Sequence, residues 1–327
     1  MTTPANTTAV KLHSSLVGPN RRTLLVGGAA AVGASLIRGS EGLAQSTQSA
    51  HTFSVGSAEV IVLSDGAIDL PVGFMLPGRE QPAIDAVFQQ AGQSFAGLRS
   101  QINVAVIKLG TEVILIDAGG GPDYLPTLGK LAERMDAAGI KPEAITKVVF
   151  THAHADHLWG VIDPLTNDTM FEKAEHVMTV TERDYWLAED QVAKVPDAFK
   201  TMAIGTHRRL KMLANRLKVV PIGAELRPGV QLVDTSGHTP GHVSVMLRSG
   251  SEQVLIGGDV VTQSVISFAA PDWRWGPDMD SDRAVASRRR ILDQLATDRV
   301  RLLGYHLPWP GLGHVERTGS AYRYVPA

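Results

Sequence analysis

From His51 onward, short crowded apolar runs alternate with longer stretches whose apolar positions recur at helical spacing. The runs 59–64, 103–109, 113–117, 147–151, 230–234, 243–247 and 254–257 predict strands. Between them, 127–138 (closed by Gly139), 181–188, 199–217 and 282–296 predict helices, and Thr181 and Asp184 are spaced as a capping box. No proline-rich or low-complexity linker interrupts this part of the chain, so residues 45–327 are expected to form one domain.

The pattern repeats weakly. In each half a hairpin leads to a carboxylate, then a helix, then a strand that runs into histidine. The first hairpin turns at Gly110-Thr111 and reaches Asp117, after which the next strand ends at Thr151-His152. The second turns at Ser249-Gly250 and reaches Asp259, with the following strand ending near His306. Two β-rich halves, each covered by helices on one face, bury both apolar sheet faces by packing on each other. The expected class is therefore α/β, as a four-layer αβ/βα sandwich with Asp117, His152, Asp259 and His306 at equivalent strand ends.

The first 44 residues break the pattern. Lys11, Arg21 and Arg22 precede an uncharged run from Thr23 to Ile37, and Gly42-Leu43-Ala44 offers small residues for cleavage. Arg21-Arg22-Thr23-Leu24-Leu25 resembles a twin-arginine export signal, which implies the twin-arginine machinery as a partner and a periplasmic or secreted address. A membrane-spanning helix fits less well, since about 15 weakly apolar residues fall short of a hydrocarbon core of roughly 30 Å.

Composition narrows the chemistry. A formal net charge of −2 leaves no basic excess for a nucleic acid, and the absence of cysteine excludes thiolate ligands and disulfides. Any metal must be held by imidazole and carboxylate. His152-Ala153-His154-Ala155-Asp156-His157 follows the apolar strand directly. Residues two apart in an extended segment point the same way, so His152 and His154 can share one ion while the turn at Ala155 carries Asp156 and His157 toward another. His238 (in Gly237-His238-Thr239-Pro240-Gly241-His242), Asp259 and His306 add two imidazoles and a carboxylate able to bridge two cations.

These motifs together resemble the metallo-β-lactamase superfamily over essentially all of the chain after the leader. The likeness implies one ion at His152, His154 and His238, a second at Asp156, His157 and His306, and Asp259 bridging them. Zinc is the default, with manganese, cobalt and iron also compatible with such ligands. It implies a dinuclear hydrolase in which a hydroxide bridging the ions attacks the substrate, with Asp156 and Asp259 as the catalytic carboxylates. Asp117 is expected either to orient a ligand histidine or to cap a turn, and His242 to support the His238 loop. His13, His51, His176, His207 and His314 read as leader, surface or core positions.

A narrower resemblance is to methyl parathion hydrolase and its lactonase and arylesterase relatives. It rests on Pro126-Thr127-Leu128-Gly129-Lys130-Leu131, Ala137-Ala138-Gly139-Ile140, Gly237 to His242, and Gly304-Tyr305-His306-Leu307-Pro308-Trp309-Pro310-Gly311. This group implies a homodimer acting on a small-molecule ester, lactone or phosphotriester through an aromatic-lined entrance. Tyr124, Trp186 and Phe199 are the expected substrate-gripping aromatics, with Trp273, Trp275 and Trp309 as further candidates, and Phe74 and Phe268 are expected in specificity loops. Trp159 departs from the smaller residue common at its position and is expected to reshape the pocket rim. An acyl-homoserine lactonase is the nearest alternative; a true β-lactamase normally lacks the bridging aspartate, and a periplasmic metal-binding protein would have no need of open metal positions. Only about 150 residues separate the first cluster from His306, too few for a nuclease's inserted domain, so no nucleic-acid substrate is expected.

Overall fold

A computed structural model describes residues 50–327, so the expected export signal over 1–44 lies outside the described residues. The first seven strands are β1 (Ala50–Val55), β2 (Ala58–Leu70), β3 (Leu98–Leu109), β4 (Glu112–Ile116), β5 (Lys147–Val149), β6 (Glu175–Thr179) and β7 (Leu217–Val220). They form one sheet in sequence order, antiparallel from β1 to β4 and parallel from β4 to β7. The second sheet holds β8 (Glu225–Arg227), β9 (Val230–Asp234), β10 (Val243–Ser249), β11 (Glu252–Ile256), β12 (Arg301–Leu303), β13 (Leu312–Thr318) and β14 (Ala321–Pro326).

The expected half-repeat is present. Leu109 pairs with Glu112 and Ser249 with Glu252 across two-residue turns, and Gly110 and Gly250 take the positive φ such turns require. Beyond each hairpin a helix-containing crossover leads to a parallel neighbour, β4 to β5 and β11 to β12. Strand residues alternate between two buried environments. Val60, Val62, Ala105 and Ile107 pack against Val243, Val245, Val254 and Ile256 of the opposite sheet. Their neighbours Ile61, Leu63, Val104 and Val106 face a helical layer containing Leu131, Met135 and Leu210. On the far side, Met246, Leu255 and Leu302 meet Ile291, Leu292 and Leu295 of the helix Ser281–Asp298. Helix, sheet, sheet and helix make the four layers, and the central strands are dry on both faces, which is why they read as apolar runs, whereas β1, β13 and β14 leave alternate positions exposed.

Some boundaries differ from the sequence expectation. The helix expected at 127–138 is Leu131–Ala137, because Gly129 takes a positive φ and the buried Asp65 carboxylate accepts from the Leu131 N–H at 2.8 Å. In place of the capping box expected at Thr181 and Asp184, the helix there has a simple N-cap two residues earlier. Thr179 Oγ1 accepts from the Glu182 N–H at the start of Val180–Leu187, and the Glu182 carboxylate is committed elsewhere. The helix expected at 199–217 is Asp197–Leu213, since 217–220 is claimed by β7. The strand expected before His306 is β12, whereas no sequence signal separated β1, β6 to β8, β13 and β14 from the loops around them. Most are three to six residues long, and pairing rather than local pattern stabilises them.

Candidate metal centre

Every strand that carries a site residue ends on the same edge of the sandwich. After β5 the chain stays extended through His152 to His154, which N-caps the one-turn helix Ala155–Leu158 bearing Asp156 and His157. His238 sits in the loop before β10, Asp259 in the tight turn Gly258–Val260 after β11, and His306 three residues beyond β12. The structure brings all seven expected ligands together. Donor atoms of His152, His154, His238 and Asp259 lie within 4.8 Å of one another, as do those of Asp156, His157 and His306. Asp259 reaches both groups, with Oδ2 at 3.2 Å from His238 Nε2 and from His306 Nε2, and Oδ1 at 3.0 Å from His157 Nε2.

The rings are held from behind. His157 donates from Nδ1 to Asp117 at 2.9 Å, His238 to Asp278 at 2.9 Å, and His306 to the Gln101 carbonyl at 2.9 Å. Thr151 Oγ1 gives its proton to Asp117 and so accepts from His152 Nδ1. These bonds leave Nε2 of His152, His157, His238 and His306 as lone pairs facing the cluster. Three of the facing atoms, His152 Nε2, His157 Nε2 and Asp259 Oδ1, are buried with no hydrogen-bond partner. Buried polar atoms are seldom left so. A donor set of five imidazoles and two carboxylates with its free atoms converging suits two divalent cations.

Electrostatics agree with that fit. Burial pushes His152 and His154 well down from the usual imidazole value, and neighbouring imidazoles add to the effect. Burial opposes charge on His157, His238 and His306, yet the charge of Asp259 together with the other carboxylates and hydrogen bonds around each ring outweighs it, raising all three and carrying His238 to about 9. The same positive neighbours overcome burial at Asp259 and hold its carboxyl well below the usual range. The carboxylates thus draw positive charge to this edge of the sandwich, the role that cations fill in a loaded site.

Asp117 orients His157 rather than merely capping a turn: fully buried and at positive φ, it accepts from His157, Thr151 N and Thr151 Oγ1. His242 supports the His238 loop as expected, its Nδ1 lying 2.8 Å from Thr235 Oγ1 and 3.1 Å from the Thr235 carbonyl, and it also holds the backbone of Asp259. Its Nε2 accepts from the Asp259 N–H at 2.9 Å, and burial pushes its pKa down to about 3, so the neutral acceptor persists. Two partners had no sequence signal, Asp278 in a loop without a motif and the fully buried Arg288 that pairs with it at 3.0 Å.

Residues 97–306 match the family described as the metallo-beta-lactamase superfamily. The chain belongs to the metallo-beta-lactamase superfamily. It is similar to the structure of AidC, a dizinc quorum-quenching lactonase in complex with a product N-hexanoyl-L-homoserine. The match is 27% identical, covers 85% of this chain and 97% of that one, and has a TM-score of 0.79. A structure of the hydrolase AbOPH in the β-lactamase superfamily matches at 25% identity with the same coverage and TM-score. A curated N-acyl homoserine lactonase from Bacillus sp. is 22% identical over 176 residues, 52% of this chain and 59% of that protein. The alignment thus spans under two thirds of that relative. The chain is a hydrolase of this superfamily with a centre for two divalent metal ions.

Above the superfamily's ligand cluster lies a cleft, open at its mouth, whose floor includes His154, Asp156, His238, Asp259 and His306. Its walls are mainly apolar, with Phe74, Tyr124, Phe199, Met202 and Trp275 among them. Two of the three expected aromatics, Tyr124 and Phe199, are there. Trp186 is not: it is 0% exposed, donates from Nε1 to Glu182 at 2.7 Å, and packs edge-on behind His154. Its helical position turns it into the core of the first half. Phe268 likewise lies in the core of the second half, and Trp309 against the core between the sheets. Trp273 stacks beneath the Arg79 guanidinium outside the cleft. Trp159 is not at the rim as expected. It lies 93% buried under Tyr124, its indole N–H bonded to Thr206 and the Arg209 guanidinium over its ring.

Proposed function

We propose that this chain is a lactonase, opening lactones that carry an apolar acyl chain through an amide, the N-acyl homoserine lactone class. One observation carries the reading: the apolar cleft that ends on the metal ligands contains two hydrogen-bonding residues, Thr262 and Trp275, whose Oγ1 and Nε1 are buried without a partner. Indole N–H is a donor only, so it calls for an acceptor on the substrate besides the reacting carbonyl. An acyl amide supplies that acceptor, and Phe74, Phe199 and Met202 supply a surface for the acyl chain. The similarity to AidC supports the same class.

Held by His152, His154, His238 and Asp259 and by Asp156, His157 and His306, two divalent ions would supply a nucleophile at neutral pH and Lewis-acid polarisation of the lactone carbonyl. The residues of the chain do the rest. His152, His154, His157, His238 and His306 are aimed by their Nδ1 contacts, and Asp259 spans both groups. Asp156, on the cleft floor, accepts the proton of the attacking water and returns it to the ring oxygen as the C–O bond breaks. Burial, reinforced by the Asp156 charge, keeps Tyr124 protonated, so its O–H donates to the substrate's oxygen.

Rates on N-acyl homoserine lactones, dihydrocoumarin-type lactones and paraoxon-type phosphotriesters test the reading. The amide-bearing lactone should be preferred, and Trp275→Phe should raise its KM by about tenfold while leaving the amide-free lactone little changed. Phosphotriester turnover exceeding both lactones would sink the proposal in favour of a methyl parathion hydrolase-like activity. The tilted Phe74 and Phe199 rings, 5.5 Å apart, favour that second reading, because they can grip a flat aromatic leaving group.

We also propose that residues 1–44 direct the folded protein out of the cytoplasm and that the mature chain is a homodimer. Replacing Arg21 and Arg22 with lysine should retain the protein in the cytoplasmic fraction, and sedimentation of the mature chain should give twice the monomer mass.

A further inference from the structure

Glu182 is a carboxylate with 0% exposure that touches no ligand and forms no ion pair among the described residues. Its Oε1 accepts from the Ala153 N–H at 2.9 Å and from Trp186 Nε1 at 2.7 Å. Oε2 accepts from Thr239 Oγ1 at 2.7 Å and the Gly241 N–H at 3.0 Å. Ala153 separates His152 from His154, while Thr239 and Gly241 follow His238. One carboxylate thus ties together the two loops that carry His152, His154 and His238.

Three of the four partners, the two amides and the indole, can only donate, so they favour the ionised carboxylate and oppose burial, which pushes the Glu182 carboxyl up. Its position in the first turn of Val180–Leu187, where free N–H groups and the helix dipole favour an anion, offsets part of the burial cost. The approach is also tight: a Cβ on Gly241 would fall 2.2 Å from the Glu182 nitrogen, so only glycine lets the loop reach this helix. Thr179 adds a parallel tie, its Oγ1 donating to the Gly241 carbonyl at 2.8 Å. The second ligand group, Asp156, His157 and His306, has no bond to Glu182 and is steadied instead by Asp117, Gln101 and the Tyr305 hydroxyl on the Asp156 carbonyl.

We infer that Glu182 is a positioning residue for one metal site alone: by clamping the His152–His154 segment to the His238 loop it sets the affinity at that site and leaves the Asp156–His157–His306 site unaffected. This rests on the reading of the two groups as metal sites. In Glu182→Gln, one amide NH2 faces a backbone or indole N–H, so the two loops separate.

The test measures zinc affinity by chelator competition, with elemental analysis of zinc per chain and thermal unfolding of the metal-free proteins. His306→Ala leaves the His152 site as the tight one, and His238→Ala leaves the other. In the His306→Ala background, Glu182→Gln is expected to weaken the remaining zinc about 10- to 100-fold, and in the His238→Ala background to leave it unchanged. Thr239→Val, which removes a single bond to the clamp, should weaken the same site by a smaller factor and serves if Glu182→Gln does not fold. Equal weakening in both backgrounds, or none in either, overturns the inference. Failure of the parent chain to bind zinc would instead overturn the metal-site reading on which it stands.

Discussion

Asp278 shows how a residue without any motif governs one with a clear motif. It accepts from His238 on one oxygen and from Arg288 on the other, both at about 3 Å, and all three side chains are buried. Asp278→Asn keeps the shape but not the charge that holds the imidazole proton on Nδ1. Metal affinity should fall about 10- to 100-fold by chelator competition, with the fold retained. His176 offers a different test, remote from the cluster. Burial, helped by the Arg216 charge, pushes it down to about 4 from the usual 6.5. The unfolded chain therefore takes up the proton first as pH falls. The stability this histidine contributes is complete above pH 6.5 and is lost toward pH 4, at most about 3 kcal/mol. Denaturant titrations across that window should show a shallower pH dependence in His176→Gln than in the parent.

Among elements, the helix Asp197–Leu213 lies under the cleft and carries several roles at once. Phe199 and Met202 line the cleft, while Thr206 and Arg209 grip Trp159, on which Tyr124 rests at 5.3 Å. Gly205 lets this helix approach: a Cβ there would fall 2.0 Å from Trp159 Cζ2, and Trp159 is pinned on its other sides. Gly205→Ala should cost about 1–3 kcal/mol of stability by overpacking and raise KM through displacement of Tyr124. Unchanged thermal unfolding and KM would show that Trp159 can yield. The legibility of elements follows the same logic of local against distant forces. The two hairpins were readable because Gly110 and Gly250 satisfy a turn requirement within two residues. The helix start at Leu131 was not, because it depends on Asp65, which the bulge between Ser64 and Gly66 turns into the core.

On the scale of the whole molecule, the three apolar cores between the layers are built mostly from strands and helices, with only a few residues such as Ala153, Ala155 and Tyr305 contributed by the ligand loops, so they close without any ion. Stripping the metal should therefore leave a cooperatively folding chain with a lower Tm. The loss per ion is about 2.7 kcal/mol when free metal stands 100-fold above its Kd, and calorimetry with and without chelator measures it. Collapse to an unfolded chain on chelation would mean that the ligand edge, not the layered core, holds the halves together.

The sequence by itself determined the layered αβ/βα architecture and the first cluster, His152 to His157, because buried strands and close-set histidines are written locally, as apolar runs and short motifs, while His238, Asp259 and His306 were joined to it by the family resemblance. Tertiary structure decided the rest. Trp186 and Phe199 are both aromatic and both helical, yet one is sealed behind His154 and the other faces the cleft. Glu182, Asp278 and Arg288 acquire their roles only when segments tens of residues apart meet, since a buried charge is defined by partners that the chain's order does not name.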